Sequence, residues 1–184
     1  MARVAEADQQ AFTRLLERHA TGLHGFLTRM IRNRADAEEL TQESFLRVWR
    51  NATRWEPDRV RFTTWLYRIG HNLCVDRLRR QREVPLDKAP ESVERVETWD
   101  PDVERLQSIV RREIAALPER QRTALVLCHH QGMSNIEAAQ ILDVSVDALE
   151  SLLARARRTL REKLGPLVSG RSPHGRADKD GGRT

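Results

Sequence analysis

Aromatic residues are scarce, at 5% of the chain. With 32% of residues charged, any single hydrophobic core has to be modest. Cysteine is scarcer still: Cys74 and Cys128 are the only two, and both sit inside apolar helical patterns. That excludes a disulfide framework and fits buried free thiols in a reducing compartment, so a cytoplasmic location is expected. No stretch nears the roughly 20 apolar residues of a membrane span, and the opening residues do not read as a signal peptide. Direct membrane insertion is therefore not expected. No nucleophile–base–acid set and no glycine-rich phosphate loop can be picked out, so neither an enzyme nor a cofactor is expected. Cys128-His129-His130 does not make a structural zinc site, because adjacent residues on a helix point in different directions; no metal is expected.

What is present is arginine. Lys88, Lys163 and Lys179 are the only lysines among 32 basic residues. The formal net charge is +5 and the pI is near 10.0, which suits a polyanionic partner. Arginine forks onto phosphates and guanine edges better than lysine does.

The cationic and aromatic residues meet between Arg61 and Arg82, RFTTWLYRIGHNLCVDRLRRQR. At helical spacing Trp65, Ile69 and Leu73 form an apolar row with Leu66 beside it. Arg68, His71, Asn72, Arg77, Arg79, Arg80 and Arg82 occupy the other faces. Just before this helix a turn at Glu56-Pro57-Asp58 lies in a polar loop, 51–60, that carries Arg54, Trp55 and Arg59. Cations neutralise phosphates, polar side chains reach base edges, and indoles stack on unpaired bases. A loop is a natural place to hold a base taken out of its stack.

Upstream, Phe12, Leu15, Leu16, Leu23, Phe26, Leu27, Met30 and Ile31 mark a long amphipathic helix. Asp36 is read as the cap of a second helix with Leu40, Phe45, Val48 and Trp49 on its buried side. Glu39, Gln42 and Glu43 form an acidic patch opposite. Acids near a helix start often only complement the dipole, but Gln42 and Glu43 lie deeper, so an interaction surface is expected there.

After Arg82 the periodicity is lost, and Pro85 and Pro90 appear with Asp87, Glu91, Glu94, Glu97 and Asp100. Residues 83–101 are read as an acidic, flexible linker. Helical spacing resumes with Val103, Leu106, Val110, Ile114 and Leu117. A further helix starts at Pro118-Glu119 and stops at Gly132. Ser134-Asn-Ile-Glu137 has the capping-box pattern. A short helix, a turn at Asp143-Val144 and a longer helix capped by Ser145 follow. That is the helix-turn-helix plan. The longer helix, expected to end near Leu164, carries Asp147 and Glu150 first, then Arg155, Arg157, Arg158, Arg161 and Lys163. Five cations in its second half exceed what the dipole needs, so phosphate contact is expected. Residues 165–184 are read as a disordered tail.

The expected fold is all-α: two small helical domains joined by a flexible linker, the C-terminal one a helix-turn-helix. The domains are placed at 1–82 and 102–164. Two separated blocks of this chain resemble the sigma-70 family of bacterial transcription initiation factors. DAEELTQESFLRVWR and FTTWLYRIGHNLCVDRLRRQR resemble its region 2. LPERQRTALVL, GMSNIEAAQIL and SLLARARRTLR resemble its region 4. The direct linker leaves no room for a folded region 3, which is similar to the extracytoplasmic-function (ECF) type. The resemblance implies a subunit that binds core RNA polymerase and recognises promoter −10 and −35 elements, commonly under an anti-sigma factor. It implies that Glu39, Gln42 and Glu43 dock on the β′ clamp, while region 4 grips the β flap. It implies that the loop with Arg54, Trp55 and Arg61 holds a flipped −10 base. It implies that His71, Asn72 and Val75, with Arg79 and Arg80, face the −10 element. It implies that Ser145, Asp147, Glu150, Ser151, Arg155, Arg157 and Arg158 face the −35 element. This chain departs from housekeeping members, having Arg68 and Ile69 where they carry a tryptophan pair. Acidic Glu150 stands with Leu152 where many ECF members are basic, so −35 contact of altered character is expected.

Two other readings stay open on the sequence. A stand-alone helix-turn-helix regulator would use residues 102–164 and leave the acidic patch and aromatic loop idle. A hydrolase or nuclease would use Glu39, Glu43 and His71.

Overall fold

A computed structural model describes residues 1–56, 58–83 and 101–169. Most of the 83–101 linker and residues 170–184 of the tail lie outside the described residues. The described residues are helical, with no strand among them. In chain order the helices are α1 (Ala2–Ala5), α2 (Gln9–Ile31), α3 (Arg34–Arg50), α4 (Phe62–Glu83), α5 (Pro101–Ala115), α6 (Glu119–Leu125), α7 (Asn135–Leu142) and α8 (Val146–Ser169). A 3-10 turn, Ala52–Arg54, follows α3, and a π-helical turn, Val126–His130, extends α6.

Helix α2 starts where the Asp8 carboxylate accepts from the Ala11 amide at 3.0 Å, and Arg3 holds the same carboxylate. It stops at Arg32, which takes a left-handed conformation with φ 59°. Its inner face is Leu23, Phe26, Leu27, Met30 and Ile31, all buried, at the spacing the sequence predicts. Asn33, not Asp36, caps α3: its side chain accepts from the Asp36 amide at 3.0 Å. Asp36 is thereby freed for α4, where Arg77 and Gln81 both donate to its carboxylate. The short polar side chain one turn earlier wins the cap because the chain turns into the helix there.

Helix α4 is the centre of the molecule. The expected row of Trp65, Ile69 and Leu73 is only partly right. Leu66, Tyr67, Leu73 and Cys74 are buried, whereas Trp65 and Ile69 are half-buried. The reason is that α4 packs on two sides. Toward α2 and α3, Gly70 permits the close approach: a Cβ there would lie 2.9 Å from a Leu23 methyl. Toward the C-terminal half, α4 packs on α7. One continuous core therefore runs from Leu23, Phe26 and Leu66 through Val126 and Leu127 to Ile141, Leu149 and Leu153. Polar contacts stitch this seam. The Tyr67 hydroxyl donates to Gln131 Oε1 at 2.8 Å, Arg61 pairs with Glu137 at 3.0 Å, and the Thr123 hydroxyl lies 3.7 Å from Met30 Sδ.

The C-terminal half follows its local signals closely. Gly132, at φ 65°, ends the π-helical turn, and the Met133 amide closes onto the Leu127 carbonyl at 3.1 Å. The capping box is complete: the Glu137 amide donates to Ser134 Oγ at 3.3 Å, and the Ser134 amide to Glu137 Oε2 at 3.0 Å. Asp143 takes the left-handed conformation at φ 53°, and Ser145 Oγ accepts from the Ala148 amide at 3.1 Å. Helix α8 runs on to Ser169, through Gly165 and Pro166, rather than ending near Leu164. Leu149, Leu153 and Ala156 are its buried row.

Candidate nucleic-acid and polymerase interface

Three surfaces carry the residues singled out by the sequence. The first is a groove of about 340 Å³ between α3 and α4. Glu39, Gln42, Glu43 and Leu46 form one wall, Arg77 and Arg80 the other. Leu46 is exposed at its rim, an apolar side chain flanked by charge. The acids are not free. Glu39 is held by Arg77 at 2.6 Å, and Glu43 by Arg47 at 2.9 Å one turn along α3. The Arg77 hydrogen bond and charge keep the Glu39 carboxyl below its ordinary pKa. Arg77 thus joins Asp36 and Glu39, a role the sequence does not announce because the partners lie some forty positions apart.

The second surface is the loop before α4 and the outer side of α4. The Trp55 indole N–H donates to the Val60 carbonyl at 3.2 Å, which fixes the loop. Phe62 stands edge-on to both Trp55 and Trp65, with centroids 6.5 and 6.4 Å away. Arg54, Trp55, Arg59 and Arg68 line a cleft of about 470 Å³, closed on the far side by Gln140 and Asp143 of the helix-turn-helix. Arg61 is exposed, as are Asn72, Arg79 and Arg80, and Val75 is half-buried. Asn72, Val75 and Arg79 share one side of α4, since their spacing brings them round to the same stripe.

His71 does not join them. Its residue is 7% exposed, and its Nδ1 is buried without a partner. Burial first, and the Arg120 charge second, pull its pKa down to about 4. One residue along a helix is a 100° rotation, so the neighbour of outward Asn72 faces the seam with the C-terminal half.

The third surface is the helix-turn-helix. Ser145, at the cap of α8, and Asp147, Glu150, Ser151, Arg155, Arg157 and Arg158 along it are all exposed. Two of them are held from behind. Asn135 donates to Glu150 Oε1 at 3.2 Å, and Arg157 lies 3.2 Å from His129 Nε2. The sequence points to neither role, because Asn135 and His129 each act on a side chain far along the chain. Among the described residues no three His, Cys, Asp or Glu side chains converge as a metal site would require. Glu39 and Glu43 open onto the groove while His71 faces the seam, so the trio a hydrolase would need is not assembled.

Among the described residues the geometry gives two helical halves around a shared core, with an exposed, arginine-bearing helix-turn-helix on one and an aromatic, arginine-bearing helix on the other. Comparison with known proteins gives the family. The Sigma-70 region 2 model matches residues 15–84, and the Sigma-70, region 4 model matches residues 107–160. RNA polymerase sigma factor CarQ of Myxococcus xanthus is 37% identical over 170 residues, covering 91% of this chain and 97% of CarQ. ECF RNA polymerase sigma factor SigE of Mycolicibacterium smegmatis is 33% identical over 165 residues, covering 86% of this chain but 63% of SigE. Among solved structures, sigma factor RpoE of Bartonella quintana, in complex with the anti-sigma factor NepR, superposes with a TM-score of 0.70. That match has 22% identity and covers 85% of this chain and 98% of RpoE. The chain belongs to the sigma-70 family of transcription initiation factors, in its ECF group. The first half is region 2 and the second is region 4, so a stand-alone helix-turn-helix regulator is excluded. No described helix is long and apolar enough to cross a membrane.

Proposed function

We propose that this chain, acting in the cytoplasm, seats core RNA polymerase on promoters through two modules, residues 1–82 and 102–164. The α3–α4 groove takes the β′ clamp. The exposed row on α4 and the Trp55 loop take the −10 element. Helix α8 takes the −35 element, and region 4 also holds the β flap. The observation that carries this reading is the pairing on one chain of an outward helix-turn-helix with a groove and an aromatic loop that an operator-binding reading leaves unused.

The closed seam adds a condition. The −10 and −35 elements lie about 25 base pairs apart, more than two turns of duplex at roughly 35 Å per turn. A chain of this length, folded into one body, has a radius of gyration of only about 16 Å. The modules must therefore separate along the seam of Tyr67, Gln131, Arg61 and Glu137 before both elements are engaged. Seventeen residues, 84–100, lie between the described halves and reach at most about 60 Å when extended. RpoE, which shares this fold, crystallised in complex with an anti-sigma factor. We assign the same kind of control here, an anti-sigma partner that keeps the seam closed or covers the groove.

Run-off transcription with core polymerase and a genomic promoter library tests the function. New start points that appear only with this protein are expected. No new start point would overturn the reading.

A further inference from the structure

Glu150 is at odds with its surroundings. It lies in the second turn of α8, in the part of a recognition helix that meets base edges, while the helix beyond it carries Arg155, Arg157 and Arg158. An exposed acid there works against phosphate attraction and can only accept hydrogen bonds. Yet it is held in place. Asn135 Nδ2 donates to Glu150 Oε1 at 3.2 Å, and Asn135 Oδ1 lies 3.8 Å from Cys128 Sγ. The two contacts agree on how the amide is turned. Burial raises the Cys128 pKa, so the thiol keeps its proton for Oδ1, which leaves the amino side of Asn135 for Glu150. The carboxylate retains its second oxygen for a partner outside the protein.

We propose that Glu150 reads the 4-amino group of one cytosine in the −35 element, with Asn135 as the residue that positions it. The major groove offers an amino donor on cytosine and on adenine only. Adenine sets its donor beside the N7 acceptor, which repels a second carboxylate oxygen, whereas cytosine sets its donor beside a C–H edge. Guanine and thymine turn acceptors toward the groove and repel the carboxylate. This assignment rests on the reading of region 4 as the −35 module.

The test is selection from a promoter library randomised across the −35 element, using holoenzyme made with core polymerase. The wild type is expected to fix cytosine at one position. Glu150→Ala should lower the preference there by roughly tenfold and leave the other positions intact. Glu150→Gln should move the same position toward adenine, which a carboxamide can address through N6 and N7 together. Asn135→Ala should weaken the cytosine preference severalfold at that position alone. Cytosine still fixed in Glu150→Ala would overturn the assignment, as would an even loss across the whole element. A wild-type holoenzyme that initiates but selects no −35 sequence at all would overturn the assignment and the region 4 reading together. Glu150 is exposed and outside the core, so its alanine variant keeps the fold that the comparison needs.

Discussion

At His71 a buried imidazole is kept neutral by its surroundings. The unfolded chain takes up a proton near pH 6.5, while the folded ring resists it down to about 4. Stability is full above about 6.5 and declines as the pH falls toward 4, by an amount on the order of 3 kcal/mol. Thermal unfolding followed between pH 7.5 and 5 should show this loss, and His71→Asn should flatten the curve in that window. An equally steep curve in the variant would place the titrating group elsewhere. Ser134 gives a second residue-level expectation. Its hydroxyl accepts from the Glu137 amide, and Glu137 in turn reaches Arg61 across the seam. Ser134→Ala should cost about 1 kcal/mol, read from a denaturant midpoint.

At the scale of elements, the groove between α3 and α4 calls for care in choosing a probe. Reversing Glu39 would set a new cation beside Arg77, which also anchors Asp36, and so would disturb the pairing of the two helices. Leu46 is exposed and outside the buried core, so Leu46→Glu is the cleaner change. It should weaken core polymerase affinity at least tenfold with an unchanged helical spectrum. Unaltered affinity would remove the groove from the docking surface. On α8, replacing Arg157 and Arg158 with alanine should flatten the salt dependence of promoter binding by roughly one to two units of log–log slope. A slope that stays put would mean these arginines only solvate the helix.

The elements also show what a sequence makes legible. Signals acting within one turn came through intact: the capping box at Ser134, the left-handed Asp143, the Ser145 cap and the stop at Gly132. Their physics needs only neighbours along the chain. The cap of α3 was misplaced by three residues because Asn33 and Asp36 both suit the position, and only the direction of the incoming chain separates them. The seam was invisible. A periodicity of 3.6 marks one apolar stripe, and α4 buries two, so His71 reads like its exposed neighbour Asn72. The Arg77–Glu39 and Asn135–Glu150 contacts were equally hidden, since nothing local records which distant side chain a charge will meet.

At the scale of the molecule, the two halves share one core, while the residues proposed to meet DNA look outward on α8 and are partly enclosed on α4. Dye pairs at Glu17 on α2 and Arg161 on α8, both exposed, would report the separation. Transfer efficiency should be high in the free protein and fall on adding core polymerase, as the ends move apart by tens of ångströms. Arg61→Glu, which sets like charges against Glu137, should lower the efficiency before polymerase is added. High efficiency in the full complex would show that the closed form itself is the working one.

The packing of α4 has one more outcome. On one flank this helix supplies Leu73, Arg77 and Arg80 to the groove, and on another it supplies Tyr67 and His71 to the join with the second half. Both flanks belong to one unbroken helix, a single stiff rod with no loop between them. On the proposed function, the grip of polymerase and the release of the second half would both be borne by that one rod.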